Sequence, residues 1–174
     1  MSGALILIGA PGCGKSSVLD ALSTMLEIDD VEFGAIETEQ LARGWPWLTA
    51  AEWMPQLEAV VELQRRAGRQ TFLVVSTPED QQELRAVVDA VGAEQIVVVC
   101  LHAPADLAAR RVAAREPDSW PGKAPLVEHA RKLAGEIPSL RGIDVVLSTV
   151  DRQPSEVAGE VKSLLAAKGM LPAS

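Results

Sequence analysis

Residues 9–16 have the sequence GAPGCGKS and directly follow the apolar run ALILI at residues 4–8. This octapeptide matches the pattern G-x-x-x-x-G-K-[ST] at every fixed position, between a predicted buried strand and a predicted helix. Glycines let successive backbone N–H groups turn inward around a phosphate, whereas a Cβ atom would obstruct that cradle. The helix that begins near Gly14 adds the positive end of its dipole to the same anion site. The sequence therefore predicts a phosphate-binding loop that takes a nucleotide.

Two side chains of this loop have predicted chemical roles. Lys15 is expected to bridge the β- and γ-phosphates of ATP, with GTP as the other option, and the Ser16 hydroxyl is expected to ligate Mg²⁺. Cys13 is interpreted as a small residue at a variable loop position, with a redox role left open. The predicted nucleotide contacts of this segment are Gly9, Ala10, Pro11, Gly12, Cys13, Gly14, Lys15, Ser16 and Ser17.

The composition limits the classes of protein to which the chain can belong. Its 174 residues suit one domain, and 48% hydrophobic with 23% charged residues is a globular balance. A net charge of −8 argues against general binding to nucleic acid or to anionic membranes. Two cysteines make no disulfide framework, and no apolar stretch approaches the ~20 residues that span a bilayer. We therefore expect a soluble, cytoplasmic protein.

Short apolar runs alternate with helix-like segments along the chain. The predicted strands cover residues 4–8, 26–29, 71–76, 95–101 and 143–147, with helices between them and at the end. Thr49 and Glu52 have the spacing of a capping box, which predicts a helix that runs to about Ala67 and stops at Gly68. Apolar strands without alternation, separated by helices, indicate a parallel sheet with both faces covered, that is, an α/β fold of three layers.

The size, the loop and a helical insertion after the second strand resemble the small-molecule kinases that carry a phosphate loop. The similar families are shikimate, gluconate and adenylylsulfate kinases and, more loosely, chloramphenicol phosphotransferase. The resemblance implies the phosphate-loop NTPase fold, with five parallel strands in the order 2-3-1-4-5. It also implies one kinase-like domain over residues 1–174, with a substrate region at about 30–68 and a lid at about 115–125.

An acidic stretch, EIDDVE at residues 27–32, is similar to the acidic dipeptide that ends the second strand in gluconate and adenylylsulfate kinases. The resemblance implies that Asp29 faces the acceptor hydroxyl as a catalytic base and approaches Mg²⁺ through water. Asp30 is then a substrate contact. The third strand ends in Ser76-Thr77 rather than in a Walker B aspartate, which favours a small kinase over a motor ATPase and leaves these hydroxyls as water-mediated Mg²⁺ contacts.

Arginines after the fourth strand resemble those of the kinase helix that leads into the lid. Arg111 and Arg115 lie four residues apart and share a helical face. The resemblance implies that Arg111 contacts the nucleotide and that Arg115 stabilises the transferring phosphoryl group as a catalytic residue. The loop TVDRQP at residues 149–154 is similar to the loop that packs on adenine, with Arg152 stacking on the base.

Three of the four tryptophans lie close together in the insertion. Trp45, Trp47 and Trp53 stand beside Arg43, a composition that suits a hydrophobic acceptor pocket with one cationic contact, or simply a cover for the sheet edge. Shikimate itself is a poor fit, because the expected run of carboxylate-binding arginines is missing.

These features together predict a Mg²⁺-dependent, ATP-dependent phosphotransferase that acts on a hydroxyl of a small molecule. The alternative is a nucleotide-binding regulatory or accessory ATPase that acts through a protein partner. A kinase of nucleic-acid 5′-hydroxyls is disfavoured by the net charge of −8. The oligomeric state and the identity of the acceptor are left open by the sequence.

Overall fold

The computed structural model describes residues 2–171, and its centre is a five-stranded parallel sheet with the strand order β2-β3-β1-β4-β5. This confirms the predicted α/β fold and strand order. The register aligns Gly3 with Thr71 on one side and with Gln95 on the other. The strands are β1 Gly3–Ile8, β2 Gly34–Glu37, β3 Thr71–Ser76, β4 Gln95–His102 and β5 Val145–Ser148.

Helices connect consecutive strands and cover the sheet. α1 packs against α7, whereas α3 packs against α4, and right-handed crossovers place these two pairs on opposite faces. None of the helices within residues 2–171 is both long and apolar enough to cross a bilayer. The helices are α1 Lys15–Ile28, α2 Thr38–Ala42, α3 Ala50–Arg66, α4 Gln81–Val91, α5 Ala105–Arg115, α6 Lys123–Glu136 and α7 Pro154–Ala167, with a 3-10 turn at Ile137–Ser139.

The hydrophobic core follows from the apolar runs of the central strands. Every residue of β1 is buried, as is all of β3 except its first residue, because helices cover both faces of the sheet.

The capping box at Thr49 is present: Glu52 accepts from the Thr49 backbone N–H at 2.8 Å, and α3 ends at Arg66, next to its C-cap Ala67. Gly68 follows with a φ of 100°, as the stop signal predicted.

The second strand is not where the sequence predicted it. Residues 26–29 belong to the last turn of α1 and its C-cap, so the prediction of a strand there is wrong. Leu22 and Leu26 continue the buried face of the helix. Burial of that face stabilises the helix as far as Ile28, although acidic residues follow. Asp30 then adopts a left-handed φ of 55° and the Val31 N–H bonds Leu26 O at 2.9 Å, which closes the helix end.

Candidate functional site

The phosphate loop connects β1 to α1 at the carboxyl edge of the sheet, and its shape depends on close approach to neighbouring backbone. Gly12 has a φ of 84°, and a Cβ at that position would lie 2.3 Å from Ala108 O in α5. A Cβ at Gly9 would lie 2.6 Å from Leu101 O in β4. The loop therefore rests directly on α5 and β4, with no room for larger residues at these two positions.

Lys15, the first residue of α1, is buried inside this loop. Its side chain is only 8% exposed, and Nζ donates a hydrogen bond to Ala10 O at 3.1 Å. Burial lowers the pKa of the Lys15 ammonium, and the negative charge of Glu39 is the strongest influence in the opposite direction. A buried cation at the first residue of a helix is an arrangement suited to a polyanionic phosphate chain.

A cavity of about 220 Å³ opens above the loop. It brings together the phosphate loop, the start of α1, two arginines of α5 and two carboxylates, one at the end of β2 and one in α2. Its walls are formed by Pro11, Gly12, Gly14, Lys15, Ser16, Ser17, Glu37, Glu39, Val75, Arg111 and Arg115.

The two carboxylates of the cavity were missed by the sequence reasoning. Glu37 ends β2, and its Oε2 accepts a hydrogen bond from Ser16 Oγ at 2.7 Å. Glu39 follows in the first turn of α2, and its Oε1 accepts a hydrogen bond from Thr77 Oγ1 at 2.9 Å. The signal available in the sequence was the motif Glu37-Thr38-Glu39 directly after Gly34-Ala35-Ile36, a short run that is hard to recognise as a strand.

Asp29, which was expected in this place, lies at the opposite end of α1. A helix of 14 residues separates it from the loop, roughly 20 Å at 1.5 Å per residue. Its carboxylate forms an ion pair with Lys162 of α7. The prediction that Asp29 ends the second strand beside the acceptor and Mg²⁺ is therefore wrong, and Asp30, in the adjoining helix-end turn, is not near the phosphate loop either.

The two predicted arginines of α5 both line the cavity. Arg111 Nη1 donates to Gly12 O at 3.3 Å and to Thr149 Oγ1 at 3.2 Å, and Nη2 donates to Thr149 O at 3.3 Å. Arg111 thus ties the phosphate loop to the segment after β5. Arg115 is largely exposed, and its Nε donates to Glu116 at 2.7 Å, which leaves the rest of the guanidinium toward the cavity.

The segment between α5 and α6 is short and folded back on itself. Lys123 Nζ donates to Glu116 O at 2.9 Å and to Asp118 at 2.6 Å, so the two ends of residues 116–123 are tied together. This ion pair lowers the pKa of the exposed Asp118 carboxyl. Trp120 packs on the backbone of Gly122, where an added Cβ would lie 2.3 Å from its ring.

Arg152 lies just past β5, but it does not line the cavity. Its Nη1 donates to Ser148 O at 3.3 Å and its Nη2 pairs with Glu160 at 2.8 Å. The two contacts hold the guanidinium between the end of β5 and the middle of α7. In this arrangement the side chain is a local support of the loop that follows β5.

The tryptophans of the insertion separate into two groups. Trp53 is only 6% exposed and belongs to the hydrophobic core with Leu57, and its contact with substrate stays a prediction. Trp45 and Trp47 are 95% and 52% exposed. They lie with Arg43 in a loop between α2 and α3 whose ends are joined by a hydrogen bond from Leu48 N to Ala42 O at 3.0 Å.

Comparison with known proteins identifies a family for this chain. The model of a family described as an AAA domain matches residues 5–134, which include the phosphate loop, both carboxylates and both arginines of the cavity. No curated protein sequence matches the chain.

Solved structures of small kinases have the same fold. A sugar kinase from Janibacter sp. HTCC2649 is 15% identical, with 99% of this chain and 100% of that chain covered and a TM-score of 0.67. The APS kinase of Mycobacterium tuberculosis, solved with AMPPNP and APS, is 20% identical over 95% and 98% of the two chains, with a TM-score of 0.66. A gluconokinase from Sinorhizobium meliloti 1021 is 19% identical over 95% and 97%, with a TM-score of 0.63. These similarities confirm the predicted resemblance to phosphate-loop small-molecule kinases at the level of the fold.

Proposed function

The chain belongs to this AAA-domain family, and on that premise we propose that it is an ATP-dependent phosphotransferase acting on a hydroxyl of a small molecule. One observation carries the proposal: Glu37 and Glu39 line the same cavity as Lys15 and Ser16. The cavity therefore combines a cation that can bind phosphates with a carboxylate that can serve an acceptor. Phosphoryl transfer needs these groups for positioning and electrostatic stabilisation.

Ser16 and Glu37 suit a magnesium ion. A hydroxyl and a carboxylate are hard oxygen ligands, and Mg²⁺ in proteins is usually held by one or two such groups together with water and substrate phosphates. The hydrogen bond of 2.7 Å from Ser16 to Glu37 already brings these two metal-ligand oxygens together. When bound, the ion neutralises charge on the β- and γ-phosphates.

Glu39 takes the role that the sequence analysis had given to Asp29. In the proposed reaction the acceptor oxygen forms a bond to the γ-phosphorus, the bond from that phosphorus to the β–γ bridging oxygen breaks, and ADP leaves. The hydroxyl proton passes to the Glu39 carboxylate, whose Oε1 is held by Thr77. Lys15 and Arg115 stabilise negative charge on the transferring group from the other side of the cavity.

The remaining parts of the molecule fit this assignment. Arg111 fixes the loop next to the nucleotide, and residues 115–125 form the proposed lid, which carries Arg115 at its base. The proposed substrate region, residues 30–68, supplies both carboxylates and the exposed loop with Arg43, Trp45 and Trp47.

Two buried, unpaired thiols suit a reducing compartment such as the cytoplasm. We assign no stacking role to Arg152, because Ser148 and Glu160 occupy its guanidinium.

The experiment that tests the proposal is acceptor-stimulated ADP release. Hydroxylated sugars, sugar acids, amino alcohols and aromatic alcohols are offered with ATP and Mg²⁺, and product formation is followed by ³¹P NMR. We expect at least one class to raise ADP release well above the rate without acceptor, and Glu39→Gln to abolish that increase while ATP still binds. Stimulated release that persists in Glu39→Gln would contradict the role of Glu39.

One observation favours the alternative, a nucleotide-dependent accessory protein. Trp45 and Trp47 are exposed in the closed loop that follows α2, the helix that carries Glu39. Aromatic side chains are frequent in protein interfaces. Absence of any acceptor, together with slow ATP hydrolysis, would favour this second function. Trp45→Ser would then weaken binding to the partner and leave hydrolysis unchanged.

A further inference from the structure

The ends of β2 and β3 are joined by side chains as well as by the backbone ladder. The strands pair in parallel, with Glu37 aligned with Val75. One step further along, Thr38 Oγ1 donates to Ser76 Oγ at 3.2 Å, and both residues are buried. Another step along, Thr77 Oγ1 donates to Glu39 Oε1 at 2.9 Å. Two consecutive residue pairs thus continue the alignment of the strands beyond the point where β2 ends.

These contacts account for the hydroxyls at the end of β3. From the sequence alone, Ser76 and Thr77 are expected to contact Mg²⁺ through water. Ser76 is instead buried against Thr38, and the Thr77 hydroxyl donates its proton to a carboxylate of the neighbouring segment. Of the two acids of the cavity, Glu39 is thus held by a hydroxyl just past the end of β3, whereas Glu37 is bonded by Ser16 of α1.

The contact matters because the Glu39 side chain would otherwise be free to rotate. It lies on the exposed side of α2, a helix of only five residues, and a glutamate there has three rotatable side-chain bonds. Within residues 2–171 its Oε2 makes no hydrogen bond to the protein, so Thr77 supplies the one hydrogen bond that orients the carboxylate. With Oε1 held, Oε2 is the atom left to accept a proton.

We propose that Thr77 is a positioning residue, which holds Glu39 so that its free oxygen faces the acceptor hydroxyl; this inference rests on the proposed function. A proton acceptor is effective only when it is held within hydrogen-bond reach of the group that it serves. Thr77 touches neither nucleotide nor acceptor in this assignment. Its effect is on the rate of transfer rather than on nucleotide affinity.

The test compares Thr77→Val, which keeps the shape and removes the hydroxyl, with Thr77→Ser, which keeps the hydroxyl. We expect kcat for acceptor phosphorylation to fall about 10-fold in Thr77→Val and the KM for ATP to stay within about 2-fold, whereas Thr77→Ser restores most of the rate. In a Glu39→Gln background, measured by single turnover, Thr77→Val should cause no further loss, because the residues act as a unit.

The matched control is Thr24→Val, which removes an exposed threonine hydroxyl that donates to Asp20 O within α1. It should leave kcat unchanged. Glu39 is also followed directly: its side-chain carboxyl ¹³C resonance should move in Thr77→Val and return toward the wild-type position in Thr77→Ser.

The outcomes separate the two proposals. A wild-type protein that phosphorylates no acceptor overturns the proposed function, whatever the Glu39 resonance does. With an active wild type, the role of Thr77 is overturned by an unmoved resonance, by an unchanged kcat in Thr77→Val, or by an equal loss of rate in the Glu39→Gln background.

Discussion

The Ser16 hydroxyl donates a hydrogen bond of 2.7 Å to Glu37 Oε2, which joins the second residue of α1 to the last residue of the edge strand β2. These residues are 21 positions apart in the chain, and β2 is separated from β1 by β3 in the sheet. The contact therefore fixes an acid beside the phosphate loop from a strand that does not border it.

Glu37→Gln should weaken the use of magnesium. The amide still accepts a hydrogen bond from Ser16, but the charge that favours a cation is lost. We expect the Mg²⁺ concentration for half-maximal ADP release to rise about 10-fold, which corresponds to ~1.4 kcal/mol. Binding of metal-free ATP, measured by calorimetry in EDTA, should be equal or tighter because a negative charge near the phosphates is removed. An unchanged Mg²⁺ requirement would contradict the assignment.

Asp29→Asn should leave catalysis intact and weaken the fold slightly. The substitution breaks the ion pair with Lys162 that joins α1 to α7, far from the loop. For a pair that is partly solvent-exposed we expect a loss of about 0.5–1 kcal/mol in the free energy of unfolding, measured by urea denaturation. Lys162→Gln should cause a similar loss. A large fall in ATP turnover would restore Asp29 as a site residue.

Lys15→Met should abolish nucleotide binding and stabilise the nucleotide-free protein. Burial lowers the pKa of Lys15, so the native state holds its proton less tightly than the unfolded state does. The wild-type protein should therefore gain stability as the pH rises from the lowered pKa toward 10.5, the ordinary value. In Lys15→Met that gain is absent, and at neutral pH the melting temperature is higher, by ~2–4 °C for each kcal/mol.

Scanning calorimetry at several pH values checks this prediction. Lys168→Met, at an exposed position after α7, is the control and should change neither the pH dependence nor the nucleotide-induced rise in melting temperature. A lower melting temperature in Lys15→Met at neutral pH would show that the ammonium stabilises the empty loop.

Arg111→Ala should loosen the phosphate loop. Three hydrogen bonds to Gly12 and Thr149 are lost, and the carbonyls of both residues lose a charged donor. We expect a loss of about 1–3 kcal/mol in unfolding free energy and a KM for ATP raised by roughly 10-fold or more. Arg110→Ala, the exposed neighbour, should be neutral in both measurements. Equal effects of the two variants would contradict a specific tether.

Gly12→Ala should disrupt the phosphate loop, because there is no room for a Cβ at this position. The residue has a φ of 84°, and the new Cβ would lie 2.3 Å from the Ala108 carbonyl. We expect loss of ATP binding and destabilisation of at least about 2 kcal/mol. Gly159→Ala, inside α7 where a Cβ meets nothing within 4 Å, should instead stabilise the protein by up to ~1 kcal/mol. Thermal melts with and without ATP distinguish the two.

The sequence was most informative where function depends on local structure. The phosphate loop needs one strand, one turn and one helix start, all within residues 3–16, so its pattern could be recognised without knowledge of the rest. The three layers also followed from the alternation of apolar runs and helices, because a parallel sheet of apolar strands must be covered on both faces. The strand order, in contrast, was implied by the resemblance to small-molecule kinases.

The acids were harder to place because β2 has a weak signal. It has four residues, only Gly34 and Ile36 are buried, and it lies at the sheet edge. Residues 27–32, in contrast, combine apolar and acidic residues and imitate the end of a strand. The spacing of Val18, Leu22 and Leu26 does indicate a helix through residue 26, since residues four apart lie on one helical face. Likewise, Trp53, Leu57 and Val61 repeat every four residues, which marks Trp53 as a core residue.

The central position of β1 also makes the phosphate loop depend on distant parts of the chain. β1 pairs with residues 71–76 and 95–100, and Gly12 is held through Arg111 by Thr149. Contacts between residues so far apart in sequence form slowly, because closing long loops costs entropy before the contact is gained. The loop therefore takes its final shape only when these distant segments have assembled around it, so a partly folded chain should not retain a nucleotide.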